Sequence, residues 1–241
     1  MGAMAKLPTE KRAGDAEVSA FLDKIKATPA QPRAAGQRGR LILAMDATAS
    51  REPTWDRACH IQAEMFAETA VLCGLDVQLV YFRGFGECRA SNWVPDATGL
   101  ARLMTSVRCR GGHTQIGKVL DHAIKETKRE RVHALVFVGD AMEEDIDHLC
   151  HRAGELGLLN LPLFAFQEGG DPIAAKCFRD MARLSGGAYC AFDSSSARQL
   201  RDLLSAVAVY AAGGRKALLE FGKKRGGDVL RLTHQLSGKS G

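Results

Sequence analysis

The sequence has no apolar run near the roughly 18 residues of a membrane span, so no membrane-spanning helix is expected. Met1 to Lys6 lacks the apolar core of a signal peptide. The seven cysteines are scattered at 59, 73, 88, 109, 150, 177 and 190, odd in number and without a C-x-x-C pair. They read as reduced core or surface thiols, so a cytoplasmic protein is expected. No G-x-S-x-G elbow is present for a serine hydrolase. His148, Cys150 and His151 stand at i, i+2 and i+3, which do not share one helix face for a metal. No repeat at a period of 20–50 residues is visible.

What is present is an ordinary globular composition, 46% hydrophobic and 25% charged over 241 residues, enough for one large α/β domain. The net charge of +5 sits at the ends: residues 213–241 carry +5 and residues 1–38 carry +3, leaving a slightly acidic centre. A basic tail touches acidic partners in some proteins, but Lys223-Lys224-Arg225 has few aromatics near it and reads as solvated. Nucleic acid and membrane are not the expected partners.

The centre is organised around Leu41-Ile42-Leu43-Ala44-Met45, a short apolar run ending at Asp46, with Thr48 and Ser50 following at alternate positions. Such a run fits a buried parallel strand, and Asp46 then lies at its C-terminal end, where open α/β sheets bind ligands. One carboxylate and two hydroxyls within five residues make a compact set of hard oxygens, suited to Mg²⁺ or Mn²⁺. Alone, the triplet also reads as turn and helix-cap residues. Two later stretches extend it. Gly111-Gly112-His113-Thr114 places a threonine at the start of a helical pattern, and Leu135-Val136-Phe137-Val138-Gly139-Asp140 ends a second apolar run in an aspartate.

In these three motifs the chain resembles the von Willebrand factor A (VWA) family over roughly residues 38–212. That family's metal-ion-dependent adhesion site (MIDAS) takes D-x-S-x-S, Thr and Asp from three successive loops. Here D-A-T-A-S departs from the pattern by Thr48, which keeps the hydroxyl and adds a methyl. The resemblance implies that Thr48 and Ser50 are direct ligands of Mg²⁺ or Mn²⁺ and that Thr114 is direct or water-mediated. Asp46 and Asp140 would orient waters and supply charge. It implies a bacterial-style, non-enzymatic binding module whose partner supplies an Asp or Glu to the ion.

The chain divides into an N-terminal extension (1–38) with a helix from Asp15 to Thr28 and a linker, a domain at 39–213, and a basic tail at 214–241. The expected fold is α/β: a Rossmann-like, doubly wound, mostly parallel six-stranded sheet with helices on both faces. Arg83-Gly84-Phe85-Gly86 is too short for a helical crossover, so Glu87 to Val94 returns as an antiparallel edge strand. The resemblance implies the strand order 3-2-1-4-5-6. Helices are expected from Trp55 to Cys73, from Asp96 to Val107, from Thr114 and from Glu143 to Leu156. Two more are expected from Asp171-Pro172 and from Ser196 to Ala212, with Gly213-Gly214 closing the domain.

A rim of partner contacts is expected at Arg51, Glu52, Trp55, Arg83, Phe85, Met142, Glu143, Gln167 and Glu168. Among these, Arg83, Phe85 and Trp55 are the chief candidates. The rival function is nucleotide binding, since Gly112 to Lys118 fits G-x-x-x-x-G-K. Against it, Val119 stands where a magnesium-binding hydroxyl belongs, and Ser106 to Arg110 makes a poor buried strand.

Overall fold

The computed structural model describes Ala20, residues 37–70, 72, 74–192 and 197–224. The expected helix from Asp15 to Thr28, the cap at Ser196 and the end of the basic tail lie outside the described residues or almost wholly so.

Strand β1 (Gly39–Asp46) is buried at all eight positions. It pairs in parallel with β2 (Leu75–Arg83) on one side and β4 (Ala134–Gly139) on the other. A strand covered on both faces has no need of polar alternation, which is why its apolar run is continuous. The two-residue period sends Leu41, Leu43 and Met45 to one core and Ile42 and Ala44 to the other. The first core is shared with helix α1 (Glu52–Thr69), α2 (Ala97–Ser106) and α6 (Ala197–Lys224). The second is shared with α3 (Ile116–Arg129), α4 (Ile146–Leu158) and α5 (Pro172–Leu184). Each fully buried Leu or Ile in these layers contributes about 1.5–3 kcal/mol relative to exposure.

With β3 (Glu87–Val94), β5 (Leu163–Glu168) and β6 (Ala188–Phe192) the sheet order is β3-β2-β1-β4-β5-β6. Only the β2–β3 pair is antiparallel. Gly84 and Gly86 make that turn with φ of 60° and 145°, values glycine adopts without a Cβ clash. The sheet is therefore doubly wound, six-stranded and mostly parallel, with an antiparallel edge strand, as expected.

Boundaries differ from expectation at α1, which starts at Glu52 rather than Trp55, and at two further places. Helix α6 does break at Gly213-Gly214, as expected, but the chain beyond the break is helical again. Gly214 takes φ 69° and ψ −167°, breaking the helix, and a second segment runs on to Lys224. It brings Leu218 into the core at 2% exposure, with Ala217 and Phe221 packed against it. At α4, Glu143 and Glu144 precede the helix rather than filling its first turn, and Asp145 is the N-cap, accepting from the His148 N–H at 2.7 Å.

Candidate metal centre

The ends of β1, β4 and β5 lie side by side at one edge of the parallel strands. Helices from β1 leave to one face and helices into β4 come from the other, so a crevice opens between these two strands. Asp46 ends β1, Asp140 follows β4, and Glu168 ends β5.

The first loop is built by Asp46 itself. Its Oδ1 accepts the Thr48 N–H at 2.7 Å, an aspartate-closed turn that needs no regular pairing. Residues Ala49–Arg51 then form a single 3₁₀ turn, closed by Arg51 N–H donating to the Thr48 carbonyl at 2.9 Å. The turn places Thr48 Oγ1 and Ser50 Oγ 3.3 Å apart, and Ser50 Oγ donates to Asp140 Oδ2 at 3.1 Å. Residues 90 apart in sequence are thus joined. Asp46 is 2% exposed. Burial pushes its carboxyl up to about 6, with Asp140 adding repulsion, while the Thr48 amide and hydroxyl and Arg51 pull it down.

Thr114 sits in the segment before α3. The Arg110 N–H donates to the Ala47 carbonyl at 3.0 Å, and the His113 N–H to the Gly84 carbonyl at 3.2 Å, fixing this segment against the first loop and the β2–β3 turn. Thr114 Oγ1 accepts the Glu143 N–H at 3.0 Å, and the Thr114 N–H donates to Glu143 Oε2 at 3.1 Å. The Glu143 carboxylate also contacts His113 Nδ1 at 2.8 Å. That contact, then the Thr114 amide, holds it below the usual carboxylate range. Asp46, Thr48, Ser50 and Asp140 form one bonded chain, whereas the bonds of Thr114 run to Glu143 and not to these four.

The structure holds the expected rim residues in different ways. Trp55, expected on the rim, is instead in the core at 3% exposure, and its indole N–H donates to the Met104 carbonyl at 3.0 Å, fastening α1 to α2. Arg83 is held in place: its guanidinium binds Glu87 at 3.0 and 3.1 Å and the Arg108 carbonyl at 2.7 Å. Gln167 is fully buried and tied to Asp171 and Tyr189. Phe85, in contrast, is 84% exposed, its ring edge-on to His113 with 5.1 Å between centroids.

Arg51 and Glu168 are also buried, at 8% and 4% exposure. The Arg51 guanidinium bonds to Glu168 Oε2, and its Nε lies 3.3 Å from Asp140 Oδ2. Thr54 donates its hydroxyl to the same Glu168 oxygen. Sequence reading placed both residues on the rim. The signal for Glu168 was there: an apolar run ending in an acid, as at Asp46 and Asp140.

The nucleotide-loop reading fails on geometry. The helix that would cradle phosphate has its N–H groups filled: Ile116 and Gly117 donate to the Glu144 carboxylate at 2.6 and 2.8 Å. Residues 107–115 are not a strand. Lys118 Nζ is held by the Gly86 carbonyl and Gln115 Oε1, both at 2.9 Å.

No family model matches the sequence, and no curated protein matches it. Solved structures do match. The VWA domain of SpRpn10 aligns with 70% of this chain and 94% of its own at 14% identity and a TM-score of 0.55. An aerotolerance-related membrane protein from Bacteroides fragilis aligns with 67% of this chain and 95% of its own at 16% identity and a TM-score of 0.52. Proximal thread matrix protein 1 from the mussel byssus, in a structure with a zinc-occupied MIDAS motif, aligns with 71% of this chain and 46% of its own. Its identity is 14% and its TM-score 0.56. At these identities the likeness concerns the fold, which is VWA-like.

Proposed function

We propose that this chain is a non-enzymatic protein-interaction module that holds Mg²⁺ or Mn²⁺ and, through it, captures an Asp or Glu of a partner protein. The observation that carries this reading is the 3.3 Å separation of Thr48 Oγ1 and Ser50 Oγ. Adjacent oxygens of an octahedral ion with bonds of 2.0–2.1 Å stand about 3 Å apart, so this pair needs little movement to become two neighbouring ligands.

The donor chemistry supports the same ion. Thr48, Ser50 and Thr114 offer hydroxyls, and Asp46 and Asp140 offer charge beside them. An all-oxygen, hydroxyl-rich set favours a hard, partly hydrated cation. Such an ion keeps water at its open positions and presents a Lewis-acidic face to an incoming carboxylate. In this reading the residues of the site bind, orient and neutralise. No helix among the described residues is long and apolar enough to cross a membrane.

Phe85 supplies the contact beside the ion. It stands on the β2–β3 turn that carries the Gly84 carbonyl bonded to His113, one residue from Thr114. An exposed aromatic next to a metal-bound carboxylate is the arrangement of an interface anchor.

The test is a pull-down with the full chain in MgCl₂, in EDTA, and with Asp46→Ala in MgCl₂. A partner retained only in the first arm supports the reading. The same proteins retained in all three arms contradict it.

A further inference from the structure

Arg51 has no role in the reading above, yet it is the most deeply placed cation of the site. Its side chain is 9% exposed. One nitrogen bonds Glu168, and another donates to the Ser50 carbonyl at 3.2 Å. Its Nε is different: it is buried, lies 3.3 Å from Asp140 Oδ2, and has no acceptor in hydrogen-bonding alignment. The Arg51–Asp140 contact is therefore one of charge, without a shaped bond, and Asp140 Oδ2 already accepts from Ser50. Glu168 has a second cation within reach, Arg57 Nη1 at 3.8 Å.

Two carboxylates from different strand ends, Asp140 and Glu168, thus share one buried guanidinium, and Asp140 is bonded to Ser50 of the candidate site.

We propose that Arg51 is a built-in competitor of the metal for Asp140, an affinity-setting residue that keeps metal binding weak until a partner carboxylate is added. This rests on the metal-site reading above and deepens it. The ion and the guanidinium both draw on Asp140, so each weakens the other's hold. A partner carboxylate brings the negative charge that Arg51 withdraws, and metal and partner then bind cooperatively, each raising the other's affinity by the same factor. Glu168 is the counterweight. By holding the other end of the guanidinium it limits how fully Arg51 neutralises Asp140.

The two residues therefore push metal affinity in opposite directions, which a purely structural clamp does not do. The experiment is calorimetric titration of the full-length protein with MnCl₂, checking each variant's melting curve for folding. Because Arg51→Gln alone leaves Glu168 buried beside a weaker cation and risks misfolding, the main variant is the double change Arg51→Gln/Glu168→Gln. Because Glu168 acts on the metal through Arg51, its loss has no effect once Arg51 is gone: the double variant is expected to bind Mn²⁺ about tenfold more tightly than wild type, and Glu168→Gln alone about tenfold more weakly, shifts within the range of groups that surround metal ligands. Adding Thr48→Val to the double variant removes the gain if the metal sits where proposed.

If wild type binds Mn²⁺ and the double variant binds equally or more weakly, the role of Arg51 is overturned while the metal site stands. If wild type is silent and the double variant binds through Thr48, Arg51 closes the site outright, and the inference stands while metal binding by the free protein does not. If neither takes up Mn²⁺, both readings fall together.

Discussion

Glu144 caps a helix to which it does not belong. Its carboxylate accepts the Ile116 N–H at 2.6 Å and the Gly117 N–H at 2.8 Å, sealing the N-terminus of α3 from 27 and 28 residues away. A helix start carries unpaired N–H groups and partial positive charge, and a carboxylate satisfies both. This contact also fixes the segment between Asp140 and α4 against the Thr114 loop.

Glu144→Ala is accordingly expected to lower stability by about 1–2 kcal/mol, the scale of a lost cap with a charged acceptor. Glu144→Gln retains one acceptor and costs less. Urea unfolding of the three proteins measures it. Equal midpoints for Ala and wild type mean that water replaces the cap without loss.

Two adjacent glycines separate packing from flexibility. A Cβ on Gly112 would lie 2.1 Å from the Gly84 carbonyl oxygen, whereas a Cβ on Gly111 meets nothing within 4 Å. Gly112→Ala must push the Thr114 segment off the β2–β3 turn and is expected to cost about 1–3 kcal/mol, as overpacking does. Gly111→Ala stays within about 0.5 kcal/mol of wild type. Thermal melts of the pair decide it, and equal losses contradict the close approach.

His122 gives a pH dependence of known sign. Burial lowers its pKa from the ordinary 6.5, against a smaller opposing pull from Glu126. Its Nε2 stands 2.8 Å from Gln78 Oε1, and the Gln78 amide group donates to the Ser91 carbonyl, so the neutral ring donates from Nε2. The folded protein resists protonation at this position. Its stabilising effect is present above pH 6.5 and is lost as pH falls toward the lowered folded value. Asp46 acts oppositely, because an acid raised to about 6 binds its proton more tightly in the folded state. The stability difference between wild type and His122→Gln isolates the histidine. It is expected to shrink between pH 7.5 and pH 5; a difference that widens on acidification reverses the assignment.

Phe85→Ala should leave folding and Mn²⁺ affinity unchanged, since the ring is 84% exposed, and weaken partner binding by about 1–2 kcal/mol. Arg83→Ala is a poor probe of the same surface. Its guanidinium holds Glu87 and the Arg108 carbonyl, so its removal disturbs the turn itself. Calorimetry of Phe85→Ala against the captured partner checks the first claim, and wild-type affinity moves the docking surface elsewhere.

The architecture was legible because β1 states it plainly. An apolar run ending in an acid can be placed in a parallel sheet from sequence alone, and the short Gly84–Gly86 link demands an antiparallel return. The hydroxyl pair at Thr48 and Ser50 was legible for the same reason, being local to one turn. What sequence did not disclose depends on which strand lies beside which. Glu143 and Glu144 look like first-turn acids of the helix that follows, yet they serve the Thr114 segment and α3, which are distant in sequence. Arg51 reads as a surface residue because arginine is seldom buried. Only the convergence of three strand ends supplies the carboxylates that hold it. Trp55 went to the rim because its position near Ser50 was visible and its bond to Met104 was not.

The most direct test of the central claim is calorimetric titration of MnCl₂ into wild type, Thr48→Ser and Thr48→Val, with melting curves recorded for each. Thr48→Val keeps the shape of a side chain that is 7% exposed and removes only the hydroxyl. The account predicts one ion bound by wild type and by Thr48→Ser. Thr48→Val, still folded, should lose at least about tenfold in affinity, a loss no smaller than that from groups outside the ligand set. Mn²⁺ taken up equally by Thr48→Val and wild type would place the ion elsewhere and contradict the account.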